Sequence, residues 1–188
     1  MTIKNIWSLN VDEAIVAEKI KKELDKKHEV FFPINSQLKD IDLLIQNPKT
    51  GKSKAIQVKG SRTWIIRGSR REKLADYFKI DLESDINSSW FKIKKSSIFS
   101  TTNKIDFFIF VTHEADLTTQ NRRIKQNFLV IPLNDFRKIT RNKKNPPKSG
   151  VYHYYFVVKD KKAVDTRDTK SRDPIDFSKY LNNFDLLK

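Results

Sequence analysis

The fold is decided by residues 40–60, which read DIDLLIQNPKTGKSKAIQVKG. The apolar run at residues 41–46 predicts a strand, and residues 47–51 contain the proline and glycine that tight turns favour. A second run, at residues 54–59, predicts the returning strand. We therefore predict a β-hairpin whose first strand begins at Asp42.

Apolar periodicity predicts further elements on both sides of this hairpin. Ile15, Val16, Ile20 and Leu24 recur at three- and four-residue spacing, which predicts an amphipathic helix over residues 12–27. Four more strands are predicted at residues 30–32, 105–112, 128–132 and 151–159. A short helix is predicted at residues 134–139, and a closing helix beyond residue 175. This order predicts a single α/β domain over residues 1–188, with a central mixed β-sheet flanked by helices.

The composition bounds the partners and the compartment. The 188 residues have a net charge of +15, which predicts a polyanionic partner and above all nucleic acid. The alternative is a basic protein from a lysine-rich proteome, whose charge has no specific partner. The chain has no cysteine, which excludes disulfides and cysteine-type zinc sites. We see neither a signal peptide at residues 1–10 nor a membrane-length apolar run, and expect a cytoplasmic protein.

Three polar side chains of the hairpin are predicted to converge at one end of the sheet. Gln57 and Lys59 are two positions apart on a strand, so both side chains leave the same face, and the turn brings Asp42 close to them. Mg²⁺ prefers oxygen ligands, which Asp42, Gln57 and the backbone carbonyl of Val58 would supply. Lys59 would hold a water and offset charge growing on a phosphate.

This pattern resembles the motif of the PD-(D/E)xK nuclease superfamily, which includes many restriction endonucleases and archaeal-type Holliday-junction resolvases. The motif has an Asp that opens one strand and Glu or Asp, any residue, and Lys on the next, which correspond to Asp42, Gln57 and Lys59. The resemblance covers roughly residues 10–62 and implies a restriction-endonuclease-like core over about residues 10–112, completed by residues 128–188. It also implies a helix carboxylate, for which we expect Glu13.

The resemblance leaves alternatives at each acidic position. Asp40 is the rival of Asp42, and Glu18 is the rival of Glu13. The middle acid of the motif is replaced by Gln57, which removes one negative charge from the site. Lower metal affinity is expected unless Glu13 or the substrate phosphate supplies that charge.

The expected function is Mg²⁺-dependent endonucleolytic cleavage of double-stranded DNA by a homodimer, with Mn²⁺ as a substitute ion. A restriction or defence nuclease is the first interpretation, and a junction-resolvase-like nuclease, a decayed DNA-binding module and an RNA-processing protein are the alternatives. DNA contacts are expected from two basic segments, although either could be an ordinary solvated face. The residues concerned are Ser61, Arg62, Arg67, Arg70 and Arg71 in the first segment and Lys143 and Lys144 in the second.

Overall fold

The described residues form two five-stranded sheets and four α-helices. The computed structural model describes residues 11–24, 28–33, 40–80, 86–102, 104–116, 123–143, 150–167 and 173–188. The helices are α1 (Val11–Glu23), α2 (Ser69–Phe78), α3 (Lys95–Phe99) and α4 (Leu133–Thr140). Helix α1 ends four residues before the predicted boundary, α4 matches its prediction within one residue at each end, and α2 was not predicted.

The first sheet contains the predicted hairpin. Its strands lie in the order β1 (Glu29–Phe31), β2 (Leu43–Gln46), β3 (Ser53–Gly60), β6 (Phe107–Asp116) and β7 (Arg123–Pro132). Neighbours are antiparallel except β3 and β6, which are parallel, so this sheet is mixed as predicted. A parallel pair needs a long crossover, and residues 61–106 make this one.

The second sheet corrects the prediction of one central sheet. It is antiparallel throughout, in the order β10 (Ile175–Asp176), β9 (Lys162–Asp165), β8 (Val151–Lys159), β5 (Asn87–Lys94) and β4 (Thr63–Ile65). Strands β4 and β5 come from the crossover, whereas β8 to β10 come from the C-terminal third of the chain. The sequence patterns of single strands do not reveal such distant pairing, which is why the second sheet was missed.

The closing α-helix predicted beyond residue 175 is also wrong. The chain forms two 3₁₀ helices there, Ser178–Tyr180 and Phe184–Leu187. Between them Asn182 adopts a left-handed φ of 52° and its backbone N–H donates to Phe128 O, which interrupts helical geometry.

Three apolar clusters stack these elements in layers. Helix α1 covers one face of the first sheet through side chains that include Val16 and Ile20, packed with Ile56 and Val58. The other face packs on the second sheet through an aromatic core that includes Phe110. Helix α2 then covers part of the outer face of the second sheet. The candidate site therefore lies on a strand, β3, that is buried between two layers.

Candidate functional site

Asp42 is hydrogen-bonded to the backbone of β3 on both sides of Gln57. Its backbone N–H donates to Ile56 O at 2.9 Å, and its Oδ2 accepts the backbone N–H of Val58 at 2.8 Å. Strand β2 begins only at Leu43, so the Asp42 carboxylate takes the place of a ladder partner for Val58. The hairpin thus brings Asp42 to the Gln57 segment, as the sequence predicted.

The Val58 carbonyl points to the same side of β3 as Asp42. The N–H and C=O of an extended residue point to the same side of a strand, so this carbonyl faces the side on which Asp42 lies. Ile56 and Val58 have their side chains in the apolar cluster under α1, which confirms the predicted apolar face of β3.

Gln57 is the least expected member of the site. Its side chain is only 4% exposed, and among the described residues none hydrogen-bonds its Oε1. A buried amide oxygen without a partner is unfavourable by about 1–3 kcal/mol. Folded proteins pair nearly all such atoms, so an exception calls for an explanation, such as a bound ligand, a water or local strain.

Lys59 shares the face of Gln57 and is half-buried at the end of β3. The strand stops at Gly60, which pairs with Val111 of β6, so Lys59 lies next to the end of its strand. Lys59 is therefore partly exposed on a strand that is fixed between β2 and β6.

Helix α1 begins against this end of β3. A Cβ added to Gly60 would lie 1.6 Å from Asp12 Oδ2, so the absence of a side chain at Gly60 is what admits the Asp12 carboxylate. Glu13, the predicted helix carboxylate, follows in the same first turn and is half-buried. Asp12 is the acidic residue that sequence reasoning missed, and the glycine directly after Lys59 was the signal for it.

The two rival acids lie elsewhere. Asp40 is exposed and precedes the strand by three residues. Glu18 is exposed and pairs with Lys22 at 2.8 Å, and the hydrogen bond from Lys22 lowers the pKa of the Glu18 carboxyl. These positions favour Asp42 and the first turn of α1 over the rivals.

Asp106 provides a comparison within the same strand. Its Oδ2 accepts the backbone N–H of Ala55 at 2.8 Å, on the opposite edge of β3 from Asp42. Both aspartates therefore bond the backbone of β3 just before their own strands begin. Since only Asp42 adjoins Gln57 on both sides, Asp106 is a natural control for the structural part of that role.

The first basic segment follows the end of β3 directly along the chain, as predicted. Arg62, Arg67 and Arg70 are exposed, and Arg71 is half-buried in the first turn of α2. Ser61 is half-buried and donates its hydroxyl to Trp90 O, which fastens the end of β3 to β5. These positions are compatible with phosphate contacts from the three exposed arginines.

The DNA contact predicted for Lys143 is wrong. Its side chain is 0% exposed, and Nζ pairs with Asp165 Oδ2 and also donates to the Arg167 carbonyl. Burial raises the pKa of the Asp165 carboxyl, while Lys143 and two backbone N–H groups act to lower it. The ammonium therefore serves a buried carboxylate rather than a phosphate, and Lys144 lies outside the described residues.

Comparison with known protein families, with curated proteins and with solved structures found no match for this chain. Within the described ranges, no three His, Cys, Asp or Glu side chains are grouped as a metal site. The helices of the described residues include none with the length and apolar character of a membrane span.

Proposed function

We propose that this chain is a divalent-metal-dependent DNA endonuclease with a restriction-endonuclease-like core. The observation that carries the proposal is that Gln57, the residue between the two β3 positions bonded by Asp42, has a buried Oε1 with no hydrogen-bond partner among the described residues. A hard cation such as Mg²⁺ fits this donor set, because it takes carboxylate, amide and backbone carbonyl oxygens. Asp42, Gln57 and the Val58 carbonyl would hold it, with Mn²⁺ as a substitute.

The bound ion would supply Lewis-acid activation of the scissile phosphate. The chain's own residues do the rest. Hydrolysis requires a water to attack phosphorus, one P–O ester bond to break, and the leaving oxygen to take a proton. Lys59, near the end of β3, holds the attacking water and offsets the charge that grows on the phosphate oxygens.

The carboxylates of α1 compensate for the neutral Gln57. Asp12 lies against Gly60, and Glu13 is in the same turn, so negative charge adjoins the end of β3. We propose that Glu13 restores the charge that the motif loses at Gln57. The mixed first sheet and the helix that precedes it are compatible with the proposed core.

Cleavage of plasmid and four-way-junction DNA tests the proposal. Wild type with Mg²⁺ or Mn²⁺ is expected to cut, and Asp42→Ala and Lys59→Ala are each expected to lose about 100-fold or more in rate. The matched control is Asp106→Ala, which removes the equivalent backbone bond on the other edge of β3 and keeps activity. A wild type that cuts neither substrate, or an Asp42→Ala that cuts as Asp106→Ala does, would refute the proposal.

The same assay separates the related interpretations. Preferential cutting of the junction would favour a resolvase-like nuclease over a restriction or defence nuclease. Direct conversion of plasmid to linear product would support a homodimer, because cutting both strands of a duplex needs two such sites. Preference for single-stranded RNA over duplex DNA would favour an RNA-processing protein.

A non-catalytic DNA-binding module is the second candidate, and the neutral Gln57 is the observation that favours it. Such a module would bind DNA with strong salt dependence because its contacts are to phosphates. Titration with Mn²⁺ distinguishes the two, since the nuclease binds the ion and loses that binding in Asp42→Ala, whereas the module binds no ion.

A further inference from the structure

The outer face of the second sheet carries a cluster of aromatic rings, here called the aromatic platform: Trp64, Trp90, His153 and Tyr155. Trp90 is central, with ring centroids 6.1 Å from Trp64, 5.8 Å from His153 and 5.8 Å from Tyr155. Residues next to these on β5 and β8, such as Phe91 and Tyr154, point into the core. Side chains alternate along a strand, so the platform points away from the core.

The described elements leave part of the platform open, at Trp64. Helix α2 packs on this face of the sheet against Val157 and Val164. Val157 follows Tyr155 on β8, and Val164 is on the neighbouring strand β9. Trp64 is 45% exposed, although burying a tryptophan is strongly favourable. An open groove of about 460 Å³ lies here, lined by residues that include Trp64, Arg67, Arg70, Trp90 and Tyr155.

Cations surround these rings. The guanidinium carbons of Arg70 and Arg167 lie 5.0 Å and 4.8 Å from the Tyr155 ring centroid, and Lys92 Nζ lies 4.4 Å from that of Trp90. None of the described residues lining the groove is acidic. An exposed tryptophan ring beside cations matches single-stranded nucleic acid, because a base can stack on the ring while the phosphates meet the charges.

The platform is a short distance from the candidate site. Lys59 and Trp64 are five positions apart, so their Cα atoms are separated by at most about 18 Å. At the 3.4 Å rise of a DNA strand this is about five nucleotides or fewer. The Ser61 hydroxyl, which donates to Trp90 O, joins the two regions directly.

We infer that the aromatic platform stacks an unpaired base of a DNA strand that runs toward the candidate site. This inference rests on the proposed function only in taking DNA as the partner. It adds a contact to a locally unpaired base, with Trp64 as the stacking residue and Arg67 and Arg70 as phosphate contacts.

Binding without metal tests the inference independently of cleavage. The probes are a fluorescently labelled 15-nucleotide oligo(dT) and a 15-unit abasic strand of equal charge, measured by anisotropy in EDTA. Trp64→Ala is expected to weaken oligo(dT) binding about 5- to 150-fold and abasic binding little, because only bases stack. Trp64→Phe, which keeps a stacking ring, should stay within about threefold of wild type.

Phe31→Ala is the matched control, since Phe31 is a similarly exposed aromatic residue (44%) on β1 of the other sheet, and it is expected to bind as wild type. Equal loss on both probes, equal loss in Phe31→Ala, or unchanged binding in Trp64→Ala would each overturn the inference. A chain that shows the stacking effect but never cuts DNA would refute the nuclease and leave the platform standing.

Discussion

Replacing Gln57 by leucine is expected to make the protein more stable and less active. The side chain is 4% exposed, and its Oε1 has no hydrogen-bond partner among the described residues. Leucine has a similar volume and no polar atom, so the substitution removes an unfavourable burial and adds a favourable one. A glutamine kept for structure would behave in the opposite way.

The size of the expected gain in stability follows from the Oε1 atom of Gln57. An unpaired buried acceptor is unfavourable by about 1–3 kcal/mol, so the free energy of unfolding should rise by about that amount. For a domain of this size each kcal/mol corresponds to about 2–4 °C, which predicts a melting temperature higher by about 2–12 °C. Metal-dependent cleavage should fall to the level of Asp42→Ala, because the same substitution removes a proposed ligand.

Urea unfolding followed by circular dichroism in EDTA measures the effect. Thr140→Val is the matched control, because Thr140 is equally buried but its hydroxyl bonds both Phe136 O and Tyr154 Oη. That variant should lose about 1–3 kcal/mol. If Gln57→Leu instead loses 1 kcal/mol or more, Gln57 is held by structural contacts and the argument from its unpaired oxygen fails.

Two further substitutions test the buried ion pair and the end of β3. Lys143→Met should cost about 3–5 kcal/mol by leaving Asp165 buried and charged. Burial already raises the pKa of Asp165, and without Lys143 the folded chain would bind that proton more tightly than the unfolded chain. The deficit should therefore shrink as the pH falls, and urea midpoints that differ equally at pH 5 and pH 8 would contradict this. Gly60→Ala should lose about 1–3 kcal/mol through collision with Asp12, and thermal melts of Gly60→Ala with Asp12→Ala should show that loss recovered.

The parts of the fold that the sequence predicted are those with local patterns. The β2–β3 hairpin has a turn whose Asn47 side chain accepts the N–H of Lys49, and β8 matches its prediction residue for residue. Helix α2 was missed because its stretch, SRREKLADYF, is largely charged and has only three buried side chains. The closing segment imitates a helix because its buried residues recur at three- and four-residue spacing.

The candidate site was predictable to the same degree. A hairpin with one polar face is enough to bring Asp42 to Gln57 and Lys59. The bond from Asp42 to the Val58 N–H depends on where β2 begins, which no residue pattern specifies. Lys143 stands in a basic stretch and resembled a surface residue, because its partner Asp165 is 22 positions away and comes close only in the fold.

The parallel pairing of β3 with β6 also has a consequence for the order of folding. It joins segments about 51 residues apart, as the bond between Ala55 and Asp106 shows, whereas β6–β7 and β8–β9 are pairs of strands adjacent along the chain. Closing a long loop is entropically unfavourable until its contacts form, so we expect the adjacent pairs to form first and the distant pairs, β3–β6 and β5–β8, to form late. Although the hairpin that carries Asp42 and Gln57 is local, it is fixed between two layers only once these distant pairs have formed. A chain still being folded would therefore have its β6–β7 and β8–β9 hairpins before it has a complete site.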